Sequence, residues 1–364
     1  MEKLFSLLRF SLGITQNFEH KLTAEEWTEM FKSAHRQALV GVLFCGVKRL
    51  KGDYAPPLTL MLQWTAQAEE ISGMNKAFNQ KAKALTEFFT AENRKCCILK
   101  GQANARLYPE PLSRQPGDID IFVSGGRDSV LQLLETKKLL KKEELEAYHH
   151  VHMSDDSDGI TVEVHFRPSS GVHSPFGNKA LQQFLNNRVD NLALTPEGFQ
   201  IPDMPFALAM QMAHIKIHLM SEGVGMRQVT DYYYLLKNST KEDRGTVSPL
   251  LNKFSLKAFA SGLMWLLNHI FGLDEELMLI KPNARRGRKI LEEISNHGNF
   301  GWYHDYYRDG LLKRMLKQRI RMLKMFFVFP KDVFWGRIYY YKFIISTIPL
   351  RIRHRTLSLR DIEL

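Results

Sequence analysis

The segment Asp118-Ile119-Asp120-Ile121-Phe122-Val123 constrains the fold of this chain more than any other stretch. Its side chains alternate strictly. Asp118, Asp120 and Phe122 project one way, and Ile119, Ile121 and Val123 the other, so the segment reads as a strand with one buried face. Gly125-Gly126 ends it. A second alternating run, Ile160 to Phe166, is stopped by Pro168; Thr161, Glu163 and His165 share one face, while Val162 and Val164 point to the core. The shorter apolar run from Lys95 to Leu99, ending in Lys100-Gly101, reads as a strand entering a turn. Ala103 to Tyr108 then reads as a short helix closed by Pro109 and Pro111, and Arg127 to Leu140 as an amphipathic helix.

Helical patterns surround this region. Thr23 followed by Glu26 is a capping-box signature for a helix through Trp27, Phe31 and Ala34. Pro56-Pro57 breaks the chain, and Leu58 to Asn93 carries good helix formers interrupted only by Gly73. Beyond Gly177 the strand patterns disappear, and helical periodicity covers about Pro205–Met220, Met226–Leu236, Leu256–Phe271, Ala284–Ile294 and Leu311–Phe327. The expected class is α+β. A small mixed β-sheet core (94–177) is embedded between an N-terminal helical region (1–93), a second helical domain (178–310) and a basic, aromatic helical segment (311–364).

An apolar fraction of 44% excludes a disordered chain. Cys45, Cys96 and Cys97 give neither a disulfide framework nor zinc-ligand spacing and are expected as reduced thiols. Met1 to Gly13 contains Arg9 and no small-residue cleavage site, so no secretory signal is read and a cytoplasmic location is expected. The net charge of +11 is concentrated. Lys313 to Arg355 holds twelve Lys and Arg against Asp332 alone, leaving Met1 to Leu312 nearly neutral. Four uses suit such a tail: a solvated helix face, a nucleic-acid patch, a membrane-surface helix or a partner-binding arm. A packed helix with a basic outer surface is the expectation. Met325 to Leu350 contains Lys331, Asp332, Arg337 and Lys342 and makes a poor transmembrane span.

Chemistry is suggested by the acids. Side chains two apart on a strand stand roughly 6–7 Å apart, given a rise of about 3.3 Å per residue. Asp118 and Asp120 therefore repel unless a cation lies between them, and Glu163 adds a third carboxylate if its strand pairs beside theirs. Such oxygen donors suit a pair of Mg²⁺ ions and the phosphates of a nucleotide. Lys100-Gly101 precedes a helix start, where free N–H groups and a cation could meet a phosphate, though Lys-Gly is also an ordinary turn pair. No Walker or dinucleotide glycine motif is present.

Other polar residues have bland readings beside sharp ones. Arg114 could reach a phosphate or be an exposed loop arginine. His150 and His152 alternate upstream of the Glu163 strand, and His165 and Arg167 share that strand's polar face. His214 and His218, at i,i+4 on one helix face, line a groove or pack against the core more readily than they bind zinc. Arg227 and Asp231 have the same spacing and suggest an exposed ion pair or a substrate contact. Tyr232-Tyr233-Tyr234 reads as core.

Together these residues resemble the polymerase β-like nucleotidyltransferase superfamily, and within it a bacterial group of uncharacterised nucleotidyltransferases. The carriers are Leu99-Lys100-Gly101, Tyr108-Pro109, Arg114, Gly117 to Asp120, His150 and His152, and Glu163-Val164-His165; His214, His218, Gly225, Arg227 and Asp231 also fit. The resemblance spans about Leu99 to Tyr234. It departs at Lys100-Gly101-Gln102, where the superfamily usually has Gly-Ser or Gly-Gly. The resemblance implies a nucleoside triphosphate bound with two Mg²⁺ (or Mn²⁺) ions, held by Asp118, Asp120 and Glu163. An acceptor hydroxyl would attack the α-phosphate and release pyrophosphate. Lys100, Gly101, Gln102, Arg114, Gly117 and His165 would lie on the nucleotide side, and His150, His152, Arg167, His214, His218, Arg227 and Asp231 on the acceptor side. The acceptor could be a small molecule, a carbohydrate, a protein or an RNA, with nucleic acid approaching along the basic tail. The competing readings are a degenerate nucleotide- or partner-binding module and an Asp-x-Asp nucleotide-sugar glycosyltransferase, whose folds place several βα units ahead of the motif.

Overall fold

The computed structural model describes residues 1–140, 149–154, 158–221, 223–299 and 311–353. Four helices come first: α1 (Glu2–Ser11), α2 (Ala24–Arg36), α3 (Val40–Val47) and α4 (Leu58–Ala91). The α2 cap forms as its sequence dictates. Glu26 N–H donates to Thr23 Oγ1 at 3.3 Å and Thr23 N–H to Glu26 Oε2 at 3.0 Å, which satisfies two amides that lack intrahelical partners. Helix α4 runs unbroken through Gly73 for 34 residues, about 50 Å at 1.5 Å per residue.

The α/β region follows as β1 (Cys96–Ile98), α5 (Gln102–Ala105), β2 (Ile119–Val123), α6 (Arg127–Thr136), β3 (His150–His152) and β4 (Val162–His165). The sheet order is β1-β2-β4-β3, with β2 and β4 parallel and both edge pairs antiparallel. Alternation divides the side chains as the sequence requires, but β2 is buried on both faces rather than one, because the helical core also covers Asp120 and Phe122. Ile119, Ile121, Val123, Val162, Val164, Cys96 and Ile98 pack on Phe78, Leu85 and Phe89 of α4 and on Val130 and Leu134 of α6. The opposite face carries Asp120 and Glu163 and turns toward the larger helical core, into which Phe122 and Leu99 reach.

The remainder is α7 (Pro175–Asn186), β5 (Leu192–Leu194), β6 (Gln200–Pro202), α8 (Met204–Met220), α9 (Met226–Asn238), α10 (Lys241–Val247), α11 (Lys257–Phe271), α12 (Ala284–His297), α13 (Leu311–Phe326) and α14 (Pro330–Arg353). Strands thus do not end at Gly177. β5 and β6 form a three-residue antiparallel hairpin whose Leu194 is 70% exposed, too short and too open for a period to register in the sequence. Tyr232, Tyr233 and Tyr234 are buried, and the Tyr232 hydroxyl donates to the Leu208 carbonyl at 3.2 Å. Cys45, Cys96 and Cys97 are free thiols, the last two buried in β1. Among the described residues no helix is long and apolar enough to cross a membrane. The expectations for Arg355 and the last nine residues fall outside the described residues.

Candidate active site

Parallel pairing of β2 and β4 in the register Asp120↔Glu163 places these two carboxylates side by side on one face. Antiparallel pairing of β3 with β4 sets His152 opposite Glu163 and His150 opposite His165. Two residues apart on each strand, the polar side chains of three strands converge. His165 Nε2 lies 3.0 Å from Asp120 Oδ1 and 3.2 Å from Glu163 Oε2. His150 Nδ1 is 3.4 Å from Glu163 Oε2 and His152 Nε2 is 3.7 Å from Glu163 Oε1. His149 also joins the group, its Nε2 3.0 Å from His150 Nδ1.

Asp118 stands just outside β2, its side chain 39% exposed where that of Asp120 is 1%. Lys100 spans the two aspartates. Its ammonium is 3.0 Å from Asp120 Oδ2 and 3.9 Å from Asp118 Oδ2. Gly101 makes the turn that aims it, at φ +61°, a region unfavourable to residues with a Cβ.

The electrostatics follow from these contacts. Burial would drive the Lys100 proton off, but the charges of Asp118, Asp120 and Glu163 outweigh it and hold the ammonium well above its ordinary pKa. Burial opposes ionisation of Glu163, yet the bond to His165 and the charges of His165 and Lys100 bring its carboxyl down to about 2. His165 is likewise disfavoured as a cation by burial, and the two carboxylates still raise it to about 8. His149, buried and facing two imidazoles, is lowered to about 2 and is neutral. At neutral pH three carboxylates thus face two cations, Lys100 and His165. The residual negative charge and the half-exposed Asp118 fit a hard divalent cation. Among the described residues three groupings have one donor atom per residue all within 4.8 Å: Asp120 with Glu163 and His165, His150 with His152 and Glu163, and His149 with His150 and His165. Asp118 belongs to none of them.

A narrow crevice opens beside the acids, lined by Lys100, Gly101, Gly117, Asp118, His214 and Arg227 among others. Its walls correct two readings of the sequence. Asp231 does not make an exposed pair with Arg227. It is buried and takes a bidentate pair from Arg114, Nε to Oδ1 at 2.7 Å and Nη2 to Oδ2 at 2.8 Å, with the Tyr108 hydroxyl on Oδ1 at 2.8 Å. Arg114 is therefore no exposed loop arginine, and its fork is already engaged. Arg227 instead clamps the chain entering β2, its Nη1 donating to the Gln115 carbonyl at 2.9 Å and to that of Pro116 at 3.3 Å. Its buried Nε–H has no partner among the described residues. Asn75 of α4 holds the same loop, donating to the Leu112 and Arg114 carbonyls at 2.9 and 2.8 Å.

The helix after Gly101 is only four residues long, and the amides of Ala103 and Asn104 already bond to Lys100 and Gly101 carbonyls. Gln102 faces away, its Nε2 donating to Asn79 Oδ1 at 2.7 Å on α4. Of the second-tier residues, His214 reaches the crevice and stacks edge-on with His218 at 4.3 Å, whereas Arg167 is exposed beyond the end of β4. His149 was not anticipated, because on a regular strand it would face away from His150.

Residues 23–272 match the profile of a family described as uncharacterised nucleotidyltransferase. No curated protein matches the chain. Among solved structures, an antigenic nucleotidyltransferase-like protein from Paracoccidioides brasiliensis aligns at 12% identity and a TM-score of 0.29, covering 56% of this chain and 93% of its own.

Proposed function

The chain belongs to the uncharacterised nucleotidyltransferase family, and on that premise we propose that it transfers a nucleoside monophosphate from a nucleoside triphosphate to an acceptor hydroxyl, with Asp118, Asp120 and Glu163 holding two divalent cations. The observation that carries this reading is the in-register Asp120–Glu163 pair with Asp118 two residues upstream, three carboxylates that Lys100 and His165 leave incompletely neutralised. Bound Mg²⁺ or Mn²⁺ would neutralise the triphosphate and favour ionisation of the acceptor hydroxyl. The imidazole nitrogens beside Glu163 make Mn²⁺ at least as suitable as Mg²⁺.

The protein's own groups then have distinct tasks. The acceptor hydroxyl releases its proton to solvent as its oxygen bonds to the α-phosphorus, the bond from that phosphorus to the bridging oxygen breaks, and pyrophosphate carries away the electron pair. Lys100, poised over the acids, is the ammonium within reach of an entering phosphate. Arg227 lines the crevice and keeps Gly117 and Asp118 in place through the backbone it grips. His165, hydrogen-bonded to both Asp120 and Glu163, fixes the two carboxylates relative to each other. His150, His152 and His214 would lie on the acceptor side, His214 from the wall of the crevice. The four helices ahead of β1 speak against a nucleotide-sugar glycosyltransferase.

The test is incubation of the full chain with each α-labelled nucleoside triphosphate, Mg²⁺ or Mn²⁺ and a cell extract, followed by separation of protein, RNA and small molecules. Label is expected in one fraction, and Glu163→Gln should abolish it. Undiminished transfer by Glu163→Gln, or no transfer together with no nucleotide binding, would refute the assignment.

A further inference from the structure

Helices α13 and α14 form a hairpin fastened to the body on one side. Met325, Phe329 and Val333 are buried, Lys216 pairs with Asp332 at 2.5 Å, and Arg321 with Glu293 at 2.6 Å. The outer side carries an apolar stripe on each helix. On α13 and the residue just past its end these are Leu316, Ile320, Leu323 and Phe327; on α14 they are Phe334, Ile338, Tyr341 and Ile345. Both sets advance in steps of four, three and four residues, the spacing of a single helix face. All eight side chains lie between 43% and 67% exposed. Core-facing helices do not leave such a row in water, and it is present twice.

The charge around the stripes identifies what covers them. Exposed Arg319, Lys324, Lys331 and Lys342 flank them, in the stretch from Lys313 to Arg355 that holds twelve Lys and Arg against Asp332 alone. A second copy of the chain would bring an equally basic hairpin against this one. An RNA would take up the cations and leave the five Leu and Ile side chains of the two rows unpartnered. An anionic bilayer satisfies both, because acyl chains receive the Leu, Ile and Phe side chains while headgroup phosphates meet the lysines and arginines. Tyr341 fits the same boundary, with an apolar ring and a polar tip.

We propose that the α13–α14 hairpin docks the protein onto the surface of an anionic lipid membrane, lying in the interface with its two apolar stripes inserted and its basic side chains on the headgroups. No described helix can cross a bilayer, so the attachment is peripheral. It does not depend on the nucleotidyl-transfer reading.

The full-length protein is mixed with vesicles of phosphatidylcholine, or of phosphatidylcholine with phosphatidylglycerol, and sedimented. The protein should pellet with the anionic vesicles, and added salt should weaken the association. The double substitution Leu323→Glu with Ile338→Glu should reduce binding by roughly tenfold or more, since each places a charge where an acyl-facing side chain stood. Both sites are exposed, so circular dichroism and melting temperature should be unchanged and lost binding cannot be ascribed to unfolding. Protein left in the supernatant with both vesicle types would overturn the proposal. So would anionic binding that the double variant retains, an oligomer in light scattering that the double variant dissociates, or RNA binding in place of vesicle binding.

Discussion

Replacing Asp231 with Asn tests whether Arg114 serves the nucleotide or the scaffold. The Arg114 and Asp231 side chains are 5% and 1% exposed, so solvent does not screen the pair. Removing one partner of a buried ion pair leaves the other charge uncompensated and costs roughly 3–5 kcal/mol. Asn keeps one acceptor oxygen for the guanidinium and for the Tyr108 hydroxyl, which points to the lower end, about 3 kcal/mol. Urea unfolding followed by circular dichroism reads this directly, and a double-mutant cycle isolates the pair. Arg114→Met combined with Asp231→Leu removes both charges together and should recover most of the loss, giving a coupling of about 2 kcal/mol or more. A coupling below about 0.5 kcal/mol would refute the assignment of a desolvated pair. Nucleotide affinity completes the experiment. If Arg114 chiefly holds the loop before Asp118, the double variant regains nucleotide binding along with stability. A double variant that folds as the parent does but no longer binds nucleotide would return Arg114 to the phosphate.

Two further perturbations address the charges at the acids. Lys100→Met removes the ammonium that spans Asp118 and Asp120, so the metal-free protein should lose about 3 kcal/mol or more; Mn²⁺ should restore part of it, up to about 2.7 kcal/mol at a hundredfold excess over its dissociation constant. Scanning fluorimetry with and without Mn²⁺ checks this, and a shift no larger than the parent's would count against cation binding at the acids. The His165 pKa is raised in the folded state, from 6.5 to about 8, so its contribution is fully present below about pH 6.5 and is lost as pH rises through about 8. That interval is worth roughly 2 kcal/mol. In chelator-containing buffer, urea stability should fall between pH 6 and pH 9 by this mechanism, and His165→Gln should flatten that part of the profile; an equal slope in the variant would exclude it.

The sheet was readable because its strands are amphipathic. Ile119, Ile121 and Val123 alternate with Asp118, Asp120 and Phe122, and one face must be dry, so register and side-chain direction follow with little freedom. The same alternation in Val162 to His165 gave Glu163 its face before any pairing was known. Three residues, His150-Val151-His152, hold too little alternation to mark β3 as a strand by themselves. The β5–β6 hairpin was missed for the same reason. Helix patterns survived better, since a 13-residue span such as α9 repeats its apolar face several times.

Side-chain partners were the less readable level, and the reason is sequence distance. Spacing on one helix couples Arg227 with Asp231, whereas folding brings in Arg114 from 117 residues upstream, and a buried bidentate pair overrides a local one. The consequence reaches the acids. Arg114, Asp231, Arg227 and Asn75 together hold residues 112 to 117, the segment that delivers Asp118, so the position of the most exposed carboxylate is set by two helices outside the sheet. Asp120 and Glu163, by contrast, are fixed by strand register. The two kinds of support predict different failures. Loosening the loop should displace Asp118 and weaken cation binding by degrees, while a register defect between β2 and β4 would separate Asp120 from Glu163 and remove the constellation outright.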